Sequence, residues 1–259
     1  SLLRRATAAG RNISQVADLP PQELEALVRA DESALADRQP APDGLPDLEP
    51  ELALALKHVE QFDAVQLEAV TRRVALRLDI TAFTDYFAAP LLHRIGDRWH
   101  AGQLTVAHEH AATEAIRRVL GWIADTAVRA PDAPGIVCAT PAGLMHEIGA
   151  MLVAATAATD GWRLVYLGAD LPASDIAKAA LQAEASVVAL SLVFPLDERR
   201  LQSELETLRH ALPLSVVILA GGSAAPACSG PLTRLGIRVV LSQTALRSVL
   251  RTIHVPRNA

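Results

Sequence analysis

Residues 135–168 read GIVCATPAGLMHEIGAMLVAATAATDGWRLVYLG, and this stretch decides the architecture of the second half of the chain. GIVCA is a continuous apolar run of strand length, MHEIGAMLVAATAATD has the length and character of a helix, and RLVYLG is apolar again. Apolar strands joined by a helix predict a parallel βαβ unit buried on both faces. Toward the C-terminus the pattern repeats. SVVALSLVF, SVVILAGG and RVVLS read as further strands, and ASDIAKAALQAE, DERRLQSELETLRHA and QTALRSVLRTI as helices. Only about a dozen residues separate the last two strands, so any helix there is short. Residues 131–259 are therefore expected to form a doubly wound, flavodoxin-like parallel sheet of five strands. Such a sheet takes its ligand beyond the carboxyl ends of the strands, where the strand order reverses.

Toward the N-terminus the period changes. PDAPG, residues 131–135, ends a region from about residue 50 to 130 in which apolar residues recur at helical spacing. Four helices are read there: ELALALKHVEQF, AVQLEAVTRRVALRL, FTDYFAAPLLHRIGDRWH with a bend at Pro90, and TVAHEHAATEAIRRVLGWIADTAV behind Thr105 as N-cap. Short connections make these an antiparallel four-helix bundle. Residues 33–49 are proline-rich with little apolar content, an extended linker. Residues 1–32 read as two short helices around Gly10. The fold class is thus an all-α domain followed by an α/β domain.

Composition agrees and excludes several function classes. At roughly 150 residues per domain, 259 residues suggest about two domains. With 51% hydrophobic and 20% charged residues the chain is not a disordered one. Its 24 basic and 29 acidic residues leave a net charge of −5, without the basic field that nucleic-acid binding requires. Cys138 and Cys228 are far apart and form no CxxC, which reads as buried thiols of a reduced, cytoplasmic protein. No apolar run approaches the ~18 residues of a membrane span, and no signal-peptide pattern is present. GxGxxG, GxxxxGK[ST] and GxSxG are all absent, which disfavours nucleotide and hydrolase readings.

Five of the eight histidines lie between positions 93 and 146. A lone histidine is ordinarily a surface or hydrogen-bonded core residue. His146, however, falls at the carboxyl edge of the expected sheet and opens an H-x-x-G ending in Gly149, where a missing side chain allows close approach to the helix. Asp170, Ser191 and the pair Gly221-Gly222 fall on the same edge, each with an ordinary loop reading as well. A second cluster consists of Trp99-His100 and Glu109-His110, with Gly102 between them. A helix–Gly–helix turn brings these four to one end of the bundle, where an indole offers a stacking face and Glu and His offer hydrogen bonds. The ordinary alternative is a core Trp99 with three solvated neighbours. A bundle metal site is disfavoured because no pair of ExxH motifs is present.

The helical segment, the flavodoxin-like segment and H-x-x-G after the first strand together resemble cobalamin-binding modules over roughly residues 50–255. The resemblance implies His146 as the lower cobalt ligand, and a nucleotide tail running along Gly149, Ser191, Gly221 and Gly222. The serine motif here reads Ser191-Leu192-Val193, where the family ends in leucine. Trp-x9-Glu-His, here Trp99 with Glu109-His110, looks like the signature of light-responsive MerR-type repressors of the CarH group. That resemblance implies adenosylcobalamin, with these three residues around the adenosyl group and His100 as the upper cobalt ligand after illumination. The 50–130 bundle would then cap the upper face of the cofactor. GRNISQVADLPPQELEAL is similar to the closing helices of a MerR winged-helix domain, whose recognition helix and wing are expected before Ser1. The implied protein is a non-enzymatic photoreceptor and repressor that binds operator DNA as a homo-oligomer, a dimer or tetramer in the dark. The rival is the corrinoid shuttle protein of a methyltransferase system. One departure stands out: Leu144 occupies the place, two before His146, where the family has an acidic residue.

Overall fold

The computed structural model describes residues 45–193 and 196–254, apart from the side chains of His100 and His254. The expected winged-helix remnant, 1–32, and residues 33–44 of the expected linker, 33–49, lie outside the described residues, whereas Glu49 already belongs to the first helix. The chain forms two compact units that divide between Val119 and Leu120.

In the first unit the helical periodicity is realised as α1 (Glu49–Glu60), α2 (Ala64–Ala75), α3 (Ile80–Phe83), α4 (Ala89–His100) and the beginning of α5 (Val106–Thr126). Each start has a local cause. Pro50 sits in the first turn of α1, where its missing N–H is no loss. Asp63 caps α2 by accepting from Gln66 N–H, and Asp79 caps α3 by accepting from Thr81 and Ala82 N–H. Leu52, Leu56 and Val59, then Leu67, Val70 and Val74, recur every three or four residues and are buried together with Leu91, Ile95 and Ile116. A π-helical turn, Thr84–Ala88, joins α3 to α4. Ala89 N–H reaches back five residues to the Thr84 carbonyl, and Pro90, which has no N–H, follows at once. The irregularity expected at Pro90 takes this form, just upstream of the proline. On the outside, Glu49 pairs with Arg94, Glu60 with Arg98, and Glu68 with Arg72 and Arg118. Arg118 holds the Glu68 carboxyl below the usual carboxylate range. Exposed pairs of this kind contribute at most about 1 kcal/mol each, so they orient helices more than they stabilise them.

The second unit is an all-parallel sheet of β1 (Gly135–Pro141), β2 (Arg163–Leu171), β3 (Ala185–Ser191), β4 (Val217–Gly221) and β5 (Arg238–Val239) in the order β2-β1-β3-β4-β5. The connecting helices are α6 (Ile148–Thr159), α7 (Ala173–Gln182), α8 (Glu198–Ala211) and α9 (Ser229–Arg234), with α10 (Gln243–His254) last. Alternation along the strands sorts the core. Val137, Ala139, Val188 and Ile218 face the layer of Ile176, Leu201, Leu205 and Leu232, whereas Ile136, Cys138, Val187 and Leu219 face Ala154, Trp162, Leu246 and Leu250. β1, β3 and β4 are largely apolar because both faces are covered, whereas the half-buried edge strand β2 carries Arg163 and Asp170. The flavodoxin-like, five-stranded expectation is met, and α9 is the short helix foreseen between β4 and β5. Both cysteines are buried and free, and burial pushes the Cys138 thiol up to about 12. Among the described residues no helix is long and apolar enough to cross a membrane.

These local causes are separable by mutation. Asp79→Ala is expected to lower the stability of the helical unit by about 1 kcal/mol. Gly96→Ala, at a mid-helix site where an added Cβ meets no atom within 4 Å, is expected to raise it by about 0.5–1 kcal/mol. Urea unfolding followed by circular dichroism reads both.

Candidate functional site

The strand order reverses between β1 and β3, since the chain leaves β1 toward β2 on one side and returns to β3 on the other. The carboxyl ends of these two strands and of their neighbours β2 and β4 carry His146, Gly149, Asp170, Ser191, Val193, Gly221 and Gly222. β1 runs into a turn at 142–143 and then His146, which is exposed and makes no hydrogen bond among the described residues. The turn before it is well fastened. Gly143 N–H donates to Asp170 Oδ1 at 2.7 Å, Asp170 N–H donates to Thr140 Oγ1 at 3.0 Å and to the Leu144 carbonyl at 3.1 Å, and the Thr140 hydroxyl also donates to that carbonyl. Asp170 itself sits in the left-handed region, φ 59°, which aspartate tolerates better than most residues. It holds the loop that presents His146. The Leu144 side chain points into the apolar core beneath the sheet, 5% exposed. The Glu147 carboxylate, beside His146 in sequence, accepts from Tyr166 Oη at 2.7 Å.

Gly149, Ser191, Val193, Gly221 and Gly222 meet around the ends of β3 and β4. A Cβ at Gly149 would collide with Ser191 Oγ, so the close approach that the glycine allows is made by the chain's own serine. Ser191 Oγ is buried and has no hydrogen-bond partner. A buried hydroxyl left unpaired costs about 1–3 kcal/mol. Leu192 N–H donates to the Gly221 carbonyl at 2.8 Å, and the Leu192 carbonyl accepts from Ala224 N–H at 3.0 Å. Gly222, φ 95°, is pressed against that same Leu192 carbonyl, and a Cβ at Gly221 would lie 2.7 Å from the Val240 carbonyl. Both glycines are therefore required by neighbouring backbone. Half-buried Val193 follows directly on this seam.

In the helical unit, Trp99 ends α4 and is 40% exposed, so it is not a core residue. Glu109 and His110 lie in the first turns of α5. Thr113 Oγ1 donates to Glu109 Oε1 at 2.8 Å, while His110 Nδ1 lies 3.3 Å from Glu109 Oε2. The histidine side chain is 72% exposed and the glutamate 28%. A carboxylate in the first turn of a helix is favoured by the positive end of the helix dipole. The His100 side chain lies outside the described residues. Among the described residues no group of three or more His, Cys, Asp or Glu side chains is arranged to hold a metal ion by itself. Tyr166 and Thr140 escaped the sequence reading because a strand tyrosine and a strand-end threonine carry no motif. Only the pairing of β1 with β2 brings them to the loop.

Two family models match the chain, both described as a B12 binding domain, one over residues 134–244 and the other over residues 53–123. The HTH-type transcriptional repressor CarH of Myxococcus xanthus is 31% identical over 237 residues, which are 92% of this chain and 78% of that protein. The repressor CarA of the same organism is 34% identical over 182 residues, 70% of this chain and 61% of that protein, so the chain spans about three-fifths of CarA. Among solved structures, the monomethylamine corrinoid protein of Methanosarcina barkeri shares the fold with a TM-score of 0.60 at 15% identity, covering 79% of this chain and 99% of that one.

Two substitutions test the seam and the loop. Gly222→Ala forces a Cβ onto backbone at a positive φ and is expected to cost about 2–4 kcal/mol in urea unfolding. Asp170→Ala is expected to cost about 1–2 kcal/mol more than Asp170→Asn, because asparagine keeps both the acceptor for Gly143 and the tolerance of φ 59°.

Proposed function

Because the chain belongs to the B12-binding family of CarH-type repressors, we propose that it is an adenosylcobalamin-dependent photoreceptor that represses transcription. The family is one of regulators, so the chain is a cobalamin-binding regulator and not an enzyme. The observation that carries the reading is the buried, unpartnered Ser191 hydroxyl against Gly149, one strand away from the exposed imidazole of His146. A polar chain entering beside β3 would find a hydrogen-bonding group there, and the His146 imidazole would offer a metal ion a nitrogen donor. The residues present thus fit a corrinoid with an inserted nucleotide tail.

In this reading His146 would hold the cobalt, and Ser191, Val193, Gly221 and Gly222 would line the nucleotide tail. Asp170 keeps the His146 loop in place. Trp99, Glu109 and His110 would supply a stacking face and hydrogen bonds suited to an adenosyl ribose, and His100 would become a cobalt ligand after illumination. When bound, adenosylcobalamin supplies a light-sensitive cobalt–carbon bond, and the protein supplies position and readout. Leu144 changes the lower side. A carboxylate that orients a metal-bound imidazole raises its basicity; the buried leucine offers none, and one oxygen of Glu147 is already engaged by Tyr166. Operator binding would be carried by the residues before the helical unit, and oligomerisation would be the quantity that light changes. The rival, a corrinoid shuttle of a methyltransferase system, shares the fold, but an indole with a Glu-His pair crowds the face that a methyl donor must reach.

Purified in darkness with adenosylcobalamin, the chain is expected to retain colour through dialysis and to elute from size exclusion at a smaller size after green light. His146→Ala is expected to lose cobalamin affinity by about ten-fold or more. Identical elution before and after illumination, with colour retained, would remove the photoreceptor reading and leave a cobalamin-binding regulator.

A further inference from the structure

The first turn of α5 is closed by a histidine. Thr105 is the residue before the helix, and an N-cap threonine ordinarily turns its hydroxyl onto the N–H two or three residues on. Here the Thr105 hydroxyl lies 2.7 Å from His108 Nδ1, and Thr105 N–H donates to the same Nδ1 at 3.2 Å. His108 stands where a capping box has Glu or Gln reaching back to the N-cap amide. Its ring is held from the other side by Phe62, with centroids 3.7 Å apart and planes inclined by 35°. Phe62 reaches it from a left-handed turn between α1 and α2, φ 56°.

The backbone contact favours one tautomer. A backbone N–H can only donate, so its 3.2 Å contact calls for a lone pair on Nδ1 and the ring proton on Nε2, with the Thr105 hydroxyl sharing that same acceptor. A second proton would set N–H against N–H and place a positive charge at the positive end of the helix dipole. The charged groups nearby do not hold such a charge. The Phe62 turn carries the His58–Asp63 pair at 3.8 Å, Arg98 at the end of α4 is engaged by Glu60, and Glu109 on α5 lies by His110. Among the described residues none of these forms an ion pair with His108. The residues directly after it are Glu109 and His110.

We propose that His108 is a positioning residue whose neutral ring closes the N-terminal turn of α5 and so sets Glu109 and His110, and whose protonation opens that turn. The use of Glu109 and His110 rests on the function proposed above; the cap itself does not, and it is tested in the cofactor-free chain. With 15N-labelled histidine, His108 is expected as the Nε2–H tautomer at about pH 8. Amide protection at Thr105–Glu109, corrected for intrinsic exchange and read from about pH 8 down to about pH 5, is expected to fall about five-fold where His108 gains a second proton. His108→Gln, which restores the capping-box acceptor without a titrating group, is expected to keep its protection across that range, and His108→Ala to lack it throughout. An Nδ1–H tautomer at pH 8, or protection in His108→Ala equal to wild type, would overturn the proposal. Should His108→Ala fail to fold, the wild-type tautomer and the pH dependence of His108→Gln still decide it. Failure to bind cobalamin would count against the proposed function and leave this result standing.

Discussion

The sheet unit depends on one close approach: the Leu192 carbonyl occupies the space that a side chain at position 222 would need. Because glycine stands there, the ends of β3 and β4 are stitched through Leu192 and Gly221, and Ala224 N–H completes the seam. The seam fixes where β3 ends, and so brings the Ser191 hydroxyl against Gly149 at the start of α6. A bulkier residue at Gly221 or Gly222 would run into the backbone of Val240 or Leu192 and disturb the strand ends. The unpaired hydroxyl is affordable only because so much backbone around it is satisfied.

The two units present their candidate residues in different physical ways. On the sheet, strand ends and a hydrogen-bonded loop do the positioning, with Asp170 reaching across from β2 to pin the turn before His146. In the helical unit, helix termini do it: Trp99 lies at the end of α4, and Glu109 and His110 in the opening turns of α5 behind a cap made by Thr105 and His108. Termini are the parts of helices that fray most readily. Residues carried there respond to small local changes, whereas those on the sheet edge are fixed by hydrogen bonds between separate elements.

Much of this was legible in the residues themselves. The apolar runs at 135–139, 187–190 and 217–220 had to be doubly covered strands, and the helical spacing of Leu52, Leu56 and Val59 required a helix with one buried face. H-x-x-G after the first strand, and Trp99 ten residues before Glu109, were visible as motifs. The role of Gly149 was legible only in part, since the residue approaching it is Ser191, more than forty positions away. The engagement of Glu147 by Tyr166 and of Asp170 by Gly143 had no sequence signal, because each joins residues on separate elements by strand register. Thr105-x-x-His108 did carry a signal, the spacing of a capping box, but histidine is not the residue that pattern advertises.

By itself, the amino-acid sequence determined the succession of helices and strands, the burial of both sheet faces and the placement of His146, Ser191 and the Gly221-Gly222 pair at strand ends, because periodicity and strand length act locally. Only the tertiary structure decided which backbone fills the space above each glycine, which oxygen is left without a partner and which ring nitrogen must accept. Those outcomes depend on contacts between residues distant in the chain, whose register no local pattern encodes.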